Sequence, residues 1–384
     1  MKRSYDFLVV GAGVLGAWIA RYLHQAGCRV ALIDAYGSAN NRASSGGETR
    51  VIRMGYGPDE LYTSWAKRSL PLWEELELQL GAELFHRTGV LWLASDSDEY
   101  TLRMMDVFRR QNIACERLET GVLRDRYPEL KFDDVTWGLL EPHSGVLMAR
   151  KSVQLLVFDL AKSGVTVLNG AVNTPKGDGQ LAEIGTTSGR TISAGHFVFA
   201  CGPWLPKIFP EVLGDKIFPS RQEVFFLGTP SGNDSFRPPK MPVWLHHQHP
   251  EIPYSLPDIE SRGFKIAFDR HGPTMDPDSA ERVVAQDAIV RLRKFLSRHI
   301  PTLSDAPILE TRVCQYENTW NGDFLVDRHP QFENLWFVGG GSGHGFKHGP
   351  AMGEYFSGLV IHNRKPEPRF SLKSKQSSQS RAIF

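Results

Sequence analysis

The alternation of apolar and polar positions predicts a strand, a helix and a second strand in the first part of the chain. The run YDFLVV is apolar and ends at a glycine, as a buried strand does. Leu15, Ile19 and Leu23 then recur at helical spacing, and Gly27 ends that pattern. A second apolar run, RVALID, follows directly. These residues therefore predict two buried strands connected by a helix.

Two later segments carry the same kind of signal. The stretch HFVFACGPW reads as an apolar strand that ends at Cys201 and Gly202. Near the end of the chain, NLWFVGG predicts another strand, and Met352, Tyr355 and Leu359 share one face of the helix that follows. We expect these strands to join the first two in a single sheet, built from three distant parts of the chain.

The intervening stretches have a different pattern. Short apolar runs such as GVLWLAS, EVFFLG and GFKIAFD are separated by clusters of proline, glycine and aspartate, which is typical of an antiparallel sheet with a few helices. The sequence shows no internal repeat and predicts a second domain that is inserted twice into the first. The expected boundaries are 1–84, 147–216 and 316–366 for the first domain, and 85–146 and 217–315 for the second.

Composition narrows the class of protein. Lysine and arginine together number 44, against 43 aspartates and glutamates, so no strong field favours nucleic acid or an anionic membrane as a partner. The four cysteines are too few to stabilise a chain of 384 residues by disulfide bonds, which predicts a reducing, cytoplasmic location. They also lack the spacing of a metal site. No apolar run has the length that crosses a bilayer. Residues 367–384 are polar, which predicts a disordered tail.

The turn after the first strand reads GAGVLG, with Gly11, Gly13 and Gly16 in the spacing of a dinucleotide-binding turn. The first glycine permits the tight turn, the second lets the backbone approach a pyrophosphate, and the third lets helix and sheet pack closely. The helix N-terminus then faces the phosphates. Asp34, at the end of the second strand, is placed to accept the hydroxyls of an adenosine ribose. A purely structural glycine turn is the alternative, and the flanking strand, helix and acid favour dinucleotide binding.

The residues that follow bear on which dinucleotide binds. After Asp34 the chain enters a loop of small and polar residues that ends in Arg50 and Arg53. A domain for NAD would normally continue with regular strand–helix units, whereas this loop offers hydroxyls and backbone amides to a second face of a pyrophosphate. A solvated basic loop would have the same composition.

Five glycines lie within the seven residues 339–345. So many glycines cost backbone entropy, and a turn needs only one or two. We interpret them as a second place where the backbone approaches a flat or charged ligand, again before the N-terminus of a helix.

Six motifs occur in the order found in the monomeric sarcosine oxidase family: GAGVLG, SSGGETRVIR, FPSRQEVFF, GFKIAF, RVCQYENT and GGGSGHGFKHGP. The chain resembles that family, which includes N-methyltryptophan, pipecolate and fructosyl amino acid oxidases, over residues 5–362. The resemblance implies an α/β protein, with a Rossmann-like FAD-binding domain of the glutathione-reductase type and an inserted α+β substrate domain built on an antiparallel sheet. It also implies a monomer that oxidises secondary amines.

The resemblance further implies roles for individual residues. Cys314, in RVCQYENT, stands where the family's cysteine forms a thioether with the 8-methyl group of the flavin, and a bystander thiol is the alternative. Arg53 and Lys347 match the two cations that hold the substrate carboxylate, and the planar fork of arginine suits a bidentate contact. Tyr254 matches a tyrosine that lines the substrate pocket.

Two more cations match residues around the flavin ring. Arg50 corresponds to an arginine beside the ring, and Lys265 to the lysine that activates oxygen near flavin N5. A fixed positive charge in a shielded site would stabilise superoxide as it forms, whereas a strand lysine otherwise faces solvent. The cofactor contacts expected from all the motifs are Gly11, Gly13, Val14, Leu15, Gly16, Asp34, Ala35, Ser45, Thr49, Val172, Cys201, Gly202, Trp204, Cys314, Gly341, Gly343, His344, Gly345, Phe346 and Lys347.

Some positions depart from the family's pattern. Ser45 and Gly46 stand where sarcosine oxidases carry two histidines, and Gly341 stands where an aromatic residue is usual. Asp269 replaces a further histidine, with His271 displaced by two residues. These changes remove bulk and basicity from the substrate pocket, so we expect a substrate larger than sarcosine, such as an N-alkyl, cyclic or glycated amino acid.

The expected reaction is the FAD-dependent oxidation of the C–N bond of a secondary amino acid to an imine, with oxygen reduced to hydrogen peroxide. The expected partners are therefore a small amino acid and molecular oxygen. Two alternatives are open: a dehydrogenase of the same fold that passes electrons to a quinone or a carrier protein, and a non-catalytic flavoprotein. Lys265 argues against the first, and the paired carboxylate clamp argues against the second.

Overall fold

A computed structural model of the chain describes residues 5–269 and 271–378, which form two large sheets, a small sheet and the helices around them. The strands are β1 (Tyr5–Val10), β2 (Val30–Asp34), β3 (Thr49–Ile52), β4 (Phe85–His86), β5 (Val90–Ala94), β6 (Glu116–Glu119), β7 (Trp137–Glu141), β8 (Gly145–Met148), β9 (Thr166–Asn169), β10 (Glu183–Gly185), β11 (Thr191–Phe199), β12 (Ile217–Leu227), β13 (Val243–Leu245), β14 (Pro253–Leu256), β15 (Phe264–Phe268), β16 (Ile308–Thr319), β17 (Leu325–Arg328) and β18 (Leu335–Gly339). The helices are α1 (Val14–Gln25), α2 (Glu60–Leu80), α3 (Glu99–Arg110), α4 (Thr120–Arg126), α5 (Ala149–Ser163), α6 (Leu205–Ile208), α7 (Pro210–Leu213), α8 (Gln286–His299) and α9 (Gly349–Ile361). Within these ranges no helix has the length and apolar character needed to cross a membrane.

The seven-stranded sheet contains the strands predicted from the three distant apolar segments. β1 pairs in parallel with β2 on one side and with β11 on the other, and β18 pairs in parallel with β11. The predicted single sheet is therefore confirmed, with β9, β10 and β17 completing it. Parallel strands end at a common edge, where ligands of such folds bind. That edge carries the glycine turn after β1 and the turns after β11 and β18.

Helices α1 and α9 approach each other closely at glycine positions. A Cβ atom at Gly353 would lie 2.6 Å from the backbone oxygen of Trp18, and one at Gly349 would lie 2.6 Å from the Trp18 ring. The buried Trp18 side chain also meets Trp73 of α2 edge to face, with 5.1 Å between the ring centroids, an arrangement that aromatic rings prefer. Three helices thus converge on one indole beside the sheet.

The eight-stranded sheet follows the order β16–β12–β15–β14–β13–β5–β7–β6. Its neighbouring strands are antiparallel except for β13 and β5, which confirms the predicted antiparallel sheet. Its strands come from residues 90–141 and 217–319, so the two stretches predicted for the second domain contribute to one sheet. The predicted boundary between 315 and 316 falls inside β16, which pairs with β12 from Ile308 to Thr319.

The small sheet joins the polar loop after β2 to the rest of the molecule. β8 pairs with β3 on one side and with β4 on the other. Arg50 lies on β3, and Arg53 follows one residue after its end. The sheet therefore fixes both predicted cations relative to the body of the protein.

The predicted disordered tail is wrong for residues 367–378. Residues 368–370 and 372–374 form two 3-10 turns, and the Phe370 ring is fully buried, with its centroid 5.3 Å from that of Trp65. Arg369 Nη2 donates to Asp59 Oδ2 at 2.6 Å and to Asp323 Oδ1 at 2.7 Å. One aromatic ring and one arginine with two acidic partners anchor a segment that is polar on average. Residues 379–384 of the predicted tail, and residues 1–4 of the predicted first domain, lie outside the described residues.

Gly16 has no room for a side chain, because a Cβ atom there would overlap the carbonyl oxygen of Gly11. Gly11 cannot retreat, since it lies against the backbone of Ala200. We expect Gly16→Ala to lower the free energy of unfolding by about 1–3 kcal/mol, the usual cost of overpacking, although alanine favours a helix by roughly 1 kcal/mol. Chemical denaturation measures the change.

The matched control is Gly121→Ala in α4, where a Cβ atom would meet nothing within 4 Å. It should leave stability unchanged or raise it by up to about 1 kcal/mol through helix propensity. Equal stability of the Gly16→Ala variant and the parent protein would contradict the packing role of Gly16.

Candidate active site

The turn between β1 and α1 leaves its backbone open to a ligand. Gly11 has a φ of +106°, which glycine accepts without strain. A Cβ atom added at Gly13 would lie 3.5 Å from its nearest neighbour, the Ser45 hydroxyl, which is ordinary contact. Packing within the protein therefore does not require glycine here, and its absence of a side chain leaves the backbone open to a ligand. Ser45 Oγ accepts a hydrogen bond from the backbone N–H of Val14 at 3.1 Å. The N-terminus of α1 is therefore fixed, with the positive end of its dipole at the sheet edge.

Asp34 fixes the other side of this turn. Its Oδ2 accepts a hydrogen bond from the backbone N–H of Ala12 at 2.8 Å, and its Oδ1 accepts one from Tyr36 at 2.8 Å. Burial raises the pKa of the carboxyl group, and these N–H donors oppose that shift. Each carboxylate oxygen has further acceptor capacity. Asp34 can therefore order the turn and still accept ribose hydroxyls, as the sequence predicts.

A cleft of about 300 Å³ runs along this edge of the sheet, a volume in the range of cofactor and ligand sites. Four of the predicted cofactor contacts do not line this cleft. Gly16 packs behind the glycine turn, and Thr49 accepts a hydrogen bond from Lys265. His344 and Lys347 line a second pocket, which is described below. The predicted residues that do line it are Gly11, Gly13, Val14, Leu15, Asp34, Ala35, Ser45, Val172, Cys201, Gly202, Trp204, Cys314, Gly341, Gly343, Gly345 and Phe346.

Two aromatic rings line the cleft near Asp34. The centroids of Tyr36 and Trp204 lie 5.8 Å apart, and both residues line the cleft. Asp278 Oδ1 accepts hydrogen bonds from the Trp204 indole N–H at 2.8 Å and from the Tyr36 hydroxyl at 3.3 Å. The rings offer flat apolar surface beside a carboxylate that faces sugar hydroxyls, which suits an adenosine. Trp204 was predicted from the sequence, whereas Tyr36 and Asp278 were not.

The wall of the cleft also contains a buried acid, Glu317, that was not predicted from the sequence. Glu317 lines the cleft, and its Oε1 has no hydrogen-bond partner in the part of the chain that the structure describes. Burial raises the pKa of this carboxyl group to about 8. Oε1 itself is shielded from the cleft, because it lies against Gly339, where an added Cβ atom would overlap it. The feature of the sequence that could have indicated Glu317 is that it is the one charged residue in CQYENT, at the end of a strand.

A second pocket of about 110 Å³ adjoins the cleft. Five residues line both cavities, namely Arg50, Cys314, Tyr316, Gly343 and Phe346. Its other walls are largely apolar and include Trp92, Leu245, Ile252 and Leu256. A ligand in this pocket would therefore lie directly against whatever occupies the end of the cleft at Cys314.

Arg53 and Lys347 both line this second pocket, as the resemblance implies. The Arg53 guanidinium lies over the rings of Tyr56 and Trp92, at 4.6 and 4.8 Å from their centroids, and donates to the carbonyl of Gly55. Lys347 Nζ donates to the Tyr56 hydroxyl at 2.9 Å. Both side chains are buried. Two fixed cations in an apolar pocket are suited to a carboxylate ligand.

Glu141 fixes the residues that surround Arg53. Its Oε1 accepts from the Trp92 indole N–H at 2.8 Å and from the backbone of Gly55 at 3.1 Å, and its Oε2 accepts from Met54 at 2.7 Å. One buried carboxylate thus fixes both the ring and the loop that hold Arg53. No local sequence pattern indicated this role, because the bonded residues lie more than eighty positions away or on another strand.

Lys265 projects from β15 to the strand that carries Arg50. Its Nζ donates to the backbone oxygen of Thr49 at 2.9 Å and to the Thr49 hydroxyl at 3.2 Å. Burial lowers the pKa of this lysine well below the ordinary range, and repulsion from Arg50 adds to the shift. Arg50 Nη2 reaches Ser44 O at 2.5 Å and Cys314 Sγ at 3.5 Å. Two cations and one thiol therefore meet where the two cavities join.

Tyrosines form another part of the shared wall. Burial raises the pKa of Tyr254 to about 12, so its hydroxyl stays protonated in the pocket. The Tyr316 hydroxyl donates to Asp269 Oδ1 at 2.8 Å. Asp269 lines the second pocket, whereas the displaced His271 contacts the Tyr316 ring edge to face at 5.9 Å.

The other departures from the family's pattern do not enlarge this pocket. Ser45 and Gly341 line the cleft, not the second pocket. Gly46 is a packing position, since a Cβ atom there would overlap the backbone oxygen of Asn40. The expectation that these three positions remove bulk from the substrate pocket is therefore wrong, and only Asp269 of that set lines it.

Polar residues of the pocket that the sequence did not reveal include His247 and Gln222. His247 Nε2 lies 3.2 Å from Asp98 Oδ1. Burial works to raise the pKa of Asp98, but hydrogen bonds from His247 and Thr101 outweigh it and lower the pKa. Gln222 lies opposite Cys314 on the neighbouring strand. Across the described residues no group of three or more histidine, cysteine or acidic side chains is arranged to hold a metal ion.

Comparisons with known proteins agree with this geometry. The monomeric sarcosine oxidase of Arthrobacter sp. is 29% identical over 370 residues, which cover 94% of this chain and 93% of that protein. The N-methyl-L-tryptophan oxidase of Yersinia pestis is 27% identical over 376 residues, covering 95% and 96%. The crystal structure of L-proline dehydrogenase from P. horikoshii shares the fold with a TM-score of 0.84, 18% identity and coverage of 99% and 100%.

A family model also matches most of the chain. Its description is DAO, FAD dependent oxidoreductase, and the match extends from residue 6 to residue 359. It therefore includes the glycine turn, both cavities and the strand that carries Cys314. The protein belongs to the DAO family of FAD-dependent oxidoreductases.

Proposed function

We propose that the protein oxidises the C–N bond of a secondary amino acid to an imine and that oxygen is reduced to hydrogen peroxide. The observation that carries the proposal is the pair of buried cations, Arg53 and Lys347, in an apolar pocket that adjoins the FAD cleft. The carboxylate of an amino acid would lie between them, and its amine would face the residues shared by the two cavities. The names of the sarcosine and N-methyl-L-tryptophan oxidases support this reading.

The residues of the cleft fit FAD. Gly13 and the N-terminus of α1 suit the pyrophosphate, Asp34 suits the adenosine ribose, and Cys314 with Arg50 suits the ring end. Bound FAD supplies the two-electron acceptor that protein side chains lack. We propose that the Cys314 thiol attaches the flavin covalently, because Cys314 lines both cavities and its Sγ lies 3.5 Å from the Arg50 guanidinium where the cavities join.

The two substrate cations have a second effect. A secondary amine must be neutral before it can give up electrons, and positive charge nearby lowers the pKa of a bound ammonium group. Arg53 and Lys347 would thus hold the carboxylate and favour the reactive amine with the same charges. The protein's contribution to this step is position and electrostatics.

We propose that Lys265 promotes the reaction with oxygen. It is a buried amino group beside Arg50, near the junction of the cavities, and it donates to Thr49. Its charged form is the one that would act. A cation at this point favours electron transfer to oxygen because the product is an anion in a site of low polarity. An acceptor other than oxygen would not need this charge.

The substrate class and the working form are proposed on further grounds. Asp269 replaces a base in the pocket wall, which supports an N-alkyl, cyclic or glycated amino acid over sarcosine. The four unpaired cysteines and the balanced charge support a cytoplasmic protein. The relatives named as monomeric oxidases support a single-chain enzyme.

Secondary amino acids should bleach the flavin under anaerobic conditions, and in air they should yield peroxide.

Arg53→Met removes one half of the carboxylate clamp, and we expect it to lower kcat/KM by roughly 10- to 100-fold, as for loss of one buried charged hydrogen bond. Steady-state kinetics with sarcosine, pipecolate and bulkier N-alkyl amino acids measure this. Arg328→Met, which removes a charge on β17 outside both cavities, is the matched control. A panel in which no amino acid bleaches the flavin would refute the proposed reaction.

Lys265 predicts a pH dependence for the oxygen reaction. Because its pKa is lowered, the ammonium form is present at low pH and is lost as the pH rises through a pKa below the ordinary lysine range. Stopped-flow measurement of flavin reoxidation should give rates that fall with rising pH. Lys265→Met should slow reoxidation by on the order of 100-fold or more and remove this pH dependence, while anaerobic flavin reduction changes far less. Equal reoxidation rates in the variant and the parent would exclude Lys265 from the oxygen step.

Covalent attachment can be tested with two cysteines of the same cleft. After acid precipitation we expect the yellow colour to stay with the parent protein and to appear in the supernatant of Cys314→Ala. Cys201→Ala is the matched control, since Cys201 lines the cleft but its thiol donates to Val10 O at 3.4 Å and burial raises its pKa. That variant should retain its flavin. Release of flavin from the parent protein would show that the cofactor is not covalently held.

A further inference from the structure

Tyr56 contacts both of the cations that are proposed to hold the substrate carboxylate. The guanidinium of Arg53 lies over the Tyr56 ring, 4.6 Å from its centroid. Lys347 Nζ donates to the Tyr56 hydroxyl at 2.9 Å and lies 5.2 Å from the centroid of the same ring. Lys347 is 291 positions away along the chain, whereas Arg53 is on the same loop as Tyr56. One side chain therefore connects two cations that come from opposite ends of the sequence.

The hydroxyl of Tyr56 is saturated by groups of the protein. Besides Lys347, it contacts His348 Nε2 at 2.7 Å and His344 Nδ1 at 3.2 Å. A phenol has one proton and two lone pairs, and these three partners match that capacity. Tyr56 is 1% exposed and lines neither the cleft nor the second pocket. Its hydroxyl therefore acts on Lys347 and not on a substrate.

The two imidazoles hold this hydroxyl without adding a competing charge at His348. Burial lowers the pKa of His348 well below the ordinary range, and the positive charge of Lys347 adds to the shift, so the ring is neutral. His344 Nε2 lies 3.0 Å from the carbonyl oxygen of Gly322, so Nε2 carries a proton and Nδ1 faces the hydroxyl. The position of the Tyr56 oxygen, and with it that of Lys347 Nζ, is fixed by these contacts.

The ring of Tyr56 is fixed as firmly as its hydroxyl. Glu141 Oε1 accepts from the backbone N–H of Gly55 at 3.1 Å, and Arg53 donates to the carbonyl of the same residue. On its other side the ring packs against that of Tyr62, with 5.4 Å between the centroids. Attraction between a cation and a ring face is strong where water is excluded. The ring face thus defines where the buried guanidinium lies.

We propose that Tyr56 is a positioning residue of the carboxylate clamp, whose ring face holds Arg53 and whose hydroxyl holds Lys347 so that both cations meet one carboxylate. The inference rests on the proposed function and deepens it by naming the side chain that sets the spacing of the two cations. Without the hydroxyl, Lys347 gains rotamer freedom that it must lose again when a carboxylate binds. The affinity for the acid group then falls while the charge of the clamp is unchanged.

The experiment uses a carboxylate that cannot react. Cyclohexanecarboxylate has the ring and the acid group of pipecolate, but a methylene group replaces the amine, so it cannot be oxidised to an imine. Cyclohexanecarboxamide has the same shape without the charge. Dissociation constants for both are measured on the holoenzyme from the change in flavin absorbance during titration, and kcat and KM are measured with pipecolate.

Tyr56→Phe keeps the ring under Arg53 and removes the oxygen to which Lys347 donates. We expect it to raise the dissociation constant of cyclohexanecarboxylate about tenfold, the effect of losing one hydrogen bond to a charged group. The dissociation constant of the carboxamide should not change. With pipecolate, KM should rise by a similar factor while kcat stays close to that of the parent protein, since the lost binding is common to ground state and transition state.

Tyr62→Phe is the matched control. It removes the hydroxyl of the neighbouring buried tyrosine, which donates to Asp323 Oδ1 at 2.8 Å and lies outside both cavities. It should lower stability and leave the carboxylate affinity unchanged. A double-mutant cycle supplies the second test. In a Lys347→Met background, Tyr56→Phe should cause no further loss of carboxylate affinity, because its effect acts through that lysine.

Four results would overturn the inference: unchanged carboxylate affinity in Tyr56→Phe, an equal loss in Tyr62→Phe, a full further loss in the Lys347→Met background, or an equal loss for the carboxamide. Failure of cyclohexanecarboxylate to bind the parent protein would overturn it together with the clamp. A tenfold loss in Tyr56→Phe, in a protein whose flavin no amino acid reduces, would support the positioning role and refute the proposed reaction. The two failures are therefore distinguishable.

Discussion

The pairing of β12 with β16 is the constraint on which the site depends. Ile217–Leu227 is antiparallel to Ile308–Thr319, in one register from Ile217 to Phe226 and with a shift between Phe226 and Leu227, so one strand passes from the second sheet to the edge of the first. Because side chains alternate along a strand, Cys314 and Tyr316 share one face and line both cavities, while Gln315 and Glu317 share the other and line the cleft. A shift of one residue in this pairing would exchange the two sets. The thiol, the tyrosine and the buried acid are therefore positioned by a single register.

The second feature of the site is a set of four basic side chains, three buried and one, Arg50, half-buried. Arg50, Arg53, Lys265 and Lys347 are held by carbonyls, hydroxyls and aromatic faces. Taking such groups out of water is costly unless an anion completes the arrangement. The cavities thus favour ligands that bring negative charge, which both an amino acid carboxylate and a dinucleotide do. The same desolvation lowers the pKa of Lys265 and raises that of Glu317, so one low-polarity environment sets the protonation of both.

The sequence predicted positions that depend on a local pattern. The glycine turn, Asp34, Cys314, Arg53 and Lys347 lie in short motifs, and the structure places them around one pair of cavities. Positions that depend on contacts between distant segments could not be predicted in this way. Glu141 supports Arg53 from another strand, and Ser45, which was expected to enlarge the substrate pocket, instead accepts the N–H of Val14. The predicted disorder of the tail was wrong because average polarity does not reveal one buried ring, Phe370, or one arginine, Arg369, with two acidic partners.

The contacts of Arg53 have a stereochemical consequence. Its guanidinium lies over the rings of Tyr56 and Trp92 and is bonded to Gly55, which limits its movement. Lys347 is fixed by a hydrogen bond to the Tyr56 hydroxyl. Under the proposed function, the acid group of a substrate would be fixed at one point, its side chain at the apolar wall and its nitrogen at the junction with the cleft. Three fixed points around one carbon would make the cavity chiral, so mirror-image amino acids would point the Cα–H bond in opposite directions relative to the electron acceptor.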